Sequence, residues 1–224
     1  MVGRYHKNLN RRDTLVTDLN TLANFNPIVP DNFKDAEVAL LGNLHPRIQM
    51  SVLDQINPNK TTIILDTMNY WIEGNWDELV QVVAKTDVIT INDEEALQMT
   101  NATNVLSAAK KISNMGPSYV IIKKGEHGAL LYHKEQIFLA PAVVLDNVVD
   151  PTGAGDSFAG GLAGFLASQP KLDFETMKTA MVYGSSVASF CVTDFGTKSI
   201  LNTTLLQIME RVEDLKSLVR FEVN

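Results

Sequence analysis

The stretch "VVDPTGAGDSFAGGLAGFLA", residues 148–167, decides the reading of this chain. It opens as a polar turn in which Gly153, Ala154 and Gly155 stand in a row before Asp156, then becomes apolar at helical spacing. The spacing predicts a helix over about 156–167. Residues with little or no side chain let a ligand approach the backbone closely. The amides of residues 153–156 would face out of the first helical turn, where free donors and the helix dipole attract an anion. A phosphoryl group in transfer is one such guest. Asp156 then has two readings. It is a helix cap, or it is a general base that takes a proton from an alcohol attacking the bound phosphoryl group.

Two commoner phosphate loops do not fit. A dinucleotide G-x-G-x-x-G anchored at Gly153 needs glycine at 158, where Phe158 stands, so a NAD-linked oxidoreductase is disfavoured. A Walker A loop needs G-K-[ST], which the chain lacks.

Upstream of the turn the chain alternates. "AEVALLG", "TTIILD", "DVITI" and "SYVIIKK" read as short apolar strands. Between them, "PRIQMSVLDQI", "NWDELVQVVAK", "DEEALQMT" and "NVLSAAKKISNM" read as helices. In the second of these, Trp76, Leu79, Val80 and Val83 are expected on one face. "GALLYH" and "QIFLA" around "KE" read as a hairpin, "PAVVL" as an extension of the sheet, and two long helices follow the turn. This pattern predicts an α/β fold: a doubly wound, mostly parallel sheet flanked by helices. Residues 31–224 are expected to form that domain. Residues 1–30 are expected to be a ribbon ahead of it, a remnant of a β lid. In such sheets ligands gather at the carboxyl ends of the strands, which draws attention to Gly42, Asn43, Asp66, Asn92, Glu95 and Gly125–Gly128.

The 19 basic and 26 acidic side chains give a net charge of −7 with no basic run, which argues against nucleic acid as a partner. A single cysteine, Cys191, allows no internal disulfide and suits a reducing cytoplasm. No apolar run is long enough to span a bilayer, so no membrane partner is expected.

The string "DPTGAGDSFAGG" resembles the C-terminal signature of the ribokinase-like (PfkB) carbohydrate and nucleoside kinases. "LLGN", "IILDTMNYW", "INDEEA" and "IIKKGEHGALL" follow that family's order. The resemblance implies ATP-dependent phosphorylation of a hydroxyl on a small sugar or nucleoside, a sugar being favoured, with ATP and Mg²⁺ as cofactors. It makes Asp156 the base, and Gly153, Ala154 and Gly155 the anion hole. Asn92 and Glu95 match an N-x-x-E motif that positions Mg²⁺ through water; read without the family, they are a helix cap and its capping-box partner. Lys123, Gly125, Glu126, Gly128, Thr152, Gly184 and Gly196 fall on the nucleotide side, and Asn43, Asp66 and Asn69 on the acceptor side. Lys123 stands where many members have threonine. "DTMN" spaces Asp66 and Asn69 one residue wider than the usual Asp-x-Asn. The resemblance also allows a monovalent cation near Asp150 and Thr152.

Members usually carry a further N-terminal segment, and none of it is found ahead of Arg4. The chain is therefore expected to bind ATP·Mg weakly to moderately and to turn over little. It is also expected to expose an edge that invites a homodimer. A non-catalytic nucleotide-binding relative is the competing reading. The basic residues Arg4, Lys7, Arg11 and Arg12 would belong to the lid.

Overall fold

The computed structural model describes residues 2–5, 12–220 and 222. β1 (Val2–Tyr5) and β2 (Arg12–Val16) form an antiparallel ribbon separate from the main sheet. Lys7 and Arg11 lie outside the described residues, and Arg4 is exposed.

The main sheet has six strands: β3 (Val38–Leu41), β4 (Thr62–Asp66), β5 (Val88–Asn92), β6 (Tyr119–Lys123), β7 (Ala129–His133) and β8 (Gln136–Ala140). They lie side by side in chain order. β3 to β6 run parallel, and β7 and β8 return antiparallel. The parallel strands need crossovers, and helices supply them. These are α1 (Pro46–Leu53), then α2 (Asn69–Gly74) with α3 (Trp76–Val83), then α4 (Asp93–Thr100) with α5 (Val105–Ser113). After the hairpin come α6 (Ala154–Ala167), α7 (Phe174–Cys191), α8 (Lys198–Asn202) and α9 (Leu205–Leu218).

Strand alternation divides the core in two. Ile63, Leu65, Ile89, Ile91, Val120 and Ile122 face α1–α5, whereas Ile64, Val88 and Ile121 face α6 and α7. Burial on both faces explains why these strands read as continuous apolar runs rather than alternating ones. The hairpin closes at Lys134 and Glu135, both at positive φ, as a two-residue turn matched to strand twist requires.

Four expectations need correction. Residues 141–145, "PAVVL", form no strand: Pro141 lacks a donor, and Val144 is 81% exposed. α6 starts at Ala154 rather than near Asp156, because Gly153 at φ 84° turns the chain and its carbonyl already accepts from Ser157 N at 2.8 Å. The buried face of α3 is Leu79, Val82 and Val83, with Trp76 left 39% exposed at the helix start. α2, absent from the sequence reading, buries Trp71 and Ile72.

Candidate active site

Asp66, Asn92 and Lys123 are the last residues of β4, β5 and β6. Each sits an even number of residues beyond Ile64, Val88 or Ile121, so all three share the face toward α6. The ladder pairs Asn92 with Lys123 and Asp66 with Thr90, which brings the three ends together as one rim. The N-terminus of α6 meets this rim: a β-carbon on Gly155 would lie 3.2 Å from Lys123 Nζ.

The turn is open to solvent at Thr152 and Asp156. Asp150 Oδ1 accepts from Thr152 N at 2.9 Å, and Cys191 packs beneath, its thiol donating to the Thr152 carbonyl at 3.5 Å. The Ala154 amide donates to the Pro151 carbonyl at 3.1 Å, so it is not available to a ligand as the sequence reading required. Among the described residues, the amides of Gly153, Gly155 and Asp156 have no acceptor in the protein. Three donors are therefore left without a protein partner at the start of a 14-residue helix whose first turn carries Asp156.

Lys123 Nζ bonds both carboxylate oxygens of Asp66, at 3.0 Å to Oδ2 and 3.2 Å to Oδ1. Burial pushes the Asp66 carboxyl up, the Lys123 ammonium opposes that, and the charge of Asp156 adds to the rise. Glu95 is the N3 residue of α4 in a capping box. Its Oε2 accepts from Asn92 N at 3.1 Å, and Asn92 Oδ1 accepts from Glu95 N at 2.8 Å. Burial raises Glu95 to about 7 against the pull of the Asn92 amide and of Lys123.

Among the described residues no cluster of three or more His, Cys, Asp or Glu side chains forms a metal cage. A hard divalent ion that keeps its waters and rides on phosphates needs only one or two carboxylates. Glu95, with Asn92 beside it in the capping box, fits that requirement.

The remaining expected residues divide. Gly125 and Gly128 bracket a single 3-10 turn after β6, both at positive φ, with Glu126 and His127 exposed between them. Asn43 Oδ1 accepts from Trp71 Nε1 at 2.8 Å and so ties the loop after β3 to α2. Asn69 is exposed at the start of α2, where its Oδ1 accepts from Tyr70 N at 3.0 Å. Gly196 is exposed at φ 68°. Gly184 lies at the α6–α7 crossing, where a β-carbon would lie 2.8 Å from the Phe158 carbonyl oxygen. Gln49 escaped the sequence reading. It is 1% exposed on α1, and its Nε2 donates to the carbonyls of Gly42 at 2.8 Å and Asp66 at 3.3 Å. A glutamine inside an otherwise buried helix face was the available signal. Concavities of about 500 Å³ between α1 and α3 and about 400 Å³ beside α9 include no residue of the turn.

Residues 9–204 match the model for pfkB family carbohydrate kinases. The chain belongs to this pfkB family. Within the pfkB relatives, the cytidine kinase of Thermococcus kodakarensis is 32% identical over 63% of this chain and 52% of its own length. The aminoimidazole riboside kinase of Salmonella typhimurium is 31% identical over 57% of this chain and 41% of its own. The solved nucleoside kinase of Methanocaldococcus jannaschii superposes with a TM-score of 0.67 at 20% identity, over 87% of this chain and 60% of that one. The fructokinase of Vibrio cholerae, solved with fructose, ADP and calcium, gives 0.67 at 18%, over 82% and 62%. The two solved structures establish the ribokinase-like fold. The pfkB chain spans about half the length of the cytidine kinase it matches.

Proposed function

We propose that this chain carries the phosphoryl-transfer site of an ATP-dependent kinase acting on a hydroxyl of a small sugar-like substrate. One observation carries the reading: three unpartnered amides at the start of α6 lie beside an exposed carboxylate, Asp156, and against the Lys123 ammonium. The amides of Gly153, Gly155 and Asp156 hold the γ-phosphoryl oxygens, and Ala154 contributes the absence of bulk. The acceptor hydroxyl gives its proton to Asp156 as its oxygen bonds to the γ-phosphorus. The bond from that phosphorus to the β–γ bridging oxygen breaks, and ADP departs.

Asn92, Lys123, Gly125, Glu126, Gly128, Thr152, Gly184 and Gly196 take the nucleotide side, and Asn43 and Asn69 the acceptor side. A divalent ion on the phosphates would neutralise their charge, with Glu95 and Asn92 reaching it through water. A monovalent cation beside Asp150 and Thr152 and a cytoplasmic setting complete the reading. Residues 1–30 act as the lid and 31–224 as the catalytic domain, with a homodimer as the expected assembly.

A nucleoside acceptor is the second reading. It is favoured by the relatives that act on cytidine and aminoimidazole riboside. Both readings place a sugar hydroxyl at Asp156. The test is acceptor-dependent ADP release across a panel of sugars and nucleosides, in the wild type and in Asp156→Asn. Loss of turnover with nucleotide binding retained supports the base. Unchanged turnover removes Asp156 from the mechanism.

A further inference from the structure

We infer that Lys123 is the clamp for the third phosphate of the nucleotide, and that Asp66 is the positioning residue that aims it rather than a contact for the acceptor. The inference rests on the kinase reading above and sharpens it.

An ammonium has three donor protons. Asp66 takes Lys123 Nζ from one side only, with both carboxylate oxygens within 3.2 Å. Nζ also lies beside Gly155, whose missing side chain leaves room; a β-carbon there would stand 3.2 Å from Nζ. The unpartnered amides of Gly155 and Asp156 belong to the same turn. A phosphoryl oxygen seated on those amides is therefore within reach of the remaining ammonium donor. Lys123 and Asp66 are only 17% and 8% exposed, so little water screens the interaction.

Asp66 is itself held. Thr67 N donates to its Oδ1 at 2.9 Å, and Gln49 binds its carbonyl. A carboxylate fixed by its own backbone and by α1, and already spent on Lys123, is built to orient a cation. The charge it presents would repel a second anion brought close. Lys123 lies between Asp66 and the turn and offsets that repulsion. A charge-assisted hydrogen bond to the terminal phosphoryl group predicts that triphosphate, and not diphosphate, depends on Lys123.

The test is binding of ADP and of a non-hydrolysable ATP analogue, with Mg²⁺, by calorimetry. Four chains are compared: wild type, Lys123→Arg, Asp66→Asn and the double variant Lys123→Met/Asp66→Asn. The double variant removes both charges together, so no buried ion is stranded and the fold persists, which circular dichroism verifies. Losing the clamp is expected to weaken the analogue by on the order of 10- to 100-fold. ADP binding should stay within about threefold, and Lys123→Arg should retain most of the preference for the analogue. Asp66→Asn should lose part of that preference. A double variant that keeps the wild-type preference, or loses both ligands equally, overturns the clamp. Asp66→Asn with the preference intact but a raised acceptor KM returns Asp66 to the acceptor side. A wild-type chain that binds neither nucleotide overturns the kinase reading, and the clamp with it.

Discussion

Lys123 Nζ lies 3.0 Å from Asp66 Oδ2, joining the end of β6 to the end of β4 across β5. Both side chains are largely out of water, so the pair answers differently to losing one partner than to losing both. Lys123→Met alone strands the carboxylate. We expect it to cost about 3–5 kcal/mol in urea unfolding, with the loss shrinking as pH is lowered, because burial favours the protonated form of Asp66. Adding Asp66→Asn should recover most of that. A single variant as stable as wild type would mean that the pair is solvated in solution.

Asp156→Asn preserves the shape of the first turn of α6 and removes the proposed proton acceptor. Turnover should fall by about a hundredfold to ten-thousandfold. ADP affinity should change by less than about threefold, since the amides of the turn are unaltered. Steady-state kinetics and calorimetry on the same preparation separate the two effects.

Glu95 is raised to about 7 in the folded chain, above the ordinary 4.5. Between these two values the unfolded chain releases its proton first. Stability contributed by the protonated form is therefore full below about 4.5 and is lost as pH rises through about 7. The size of the loss is about 3 kcal/mol. Glu95→Gln keeps the capping box and cannot ionise. Its stability should be flatter across this window and higher than wild type at pH 8. Parallel stability curves for the two chains would remove Glu95 from the account.

Gly184→Ala places a methyl group 2.8 Å from the Phe158 carbonyl oxygen, a backbone atom that cannot swing aside. We expect a loss of about 1–3 kcal/mol and a Tm lower by several degrees, with the α6–α7 crossing forced apart. Because α6 carries the turn, nucleotide affinity should fall as well. An unchanged Tm would show that the crossing relaxes freely.

The parallel sheet, its crossovers and the hairpin could be read directly, because apolar runs bounded by turn residues report local periodicity. The glycine turn ahead of α6 could be read for the same reason: its glycines and Asp156 are contiguous. What stayed hidden was tertiary. Asp66 and Lys123 are 57 positions apart, and nothing local marks them as partners. Gln49 looked like an ordinary helix residue until α1 was seen to lie over the ends of β3 and β4. The packing role of Gly184 was hidden too: only the distance to Phe158 shows that it lets α6 and α7 cross closely. "PAVVL" failed because its composition suits a strand while no neighbouring strand takes it up.

The residues ending β4, β5 and β6 owe their common orientation to hydrogen-bond register, and that has a kinetic consequence. If β5 settled one position out of step, Asn92 would turn to the far side of the sheet and its neighbours would swap sides with it. Such a conformer could be compact and rich in secondary structure, yet catalytically blank. Recovery of activity after refolding should therefore lag behind recovery of helix signal by the time the ladder needs to find its alignment.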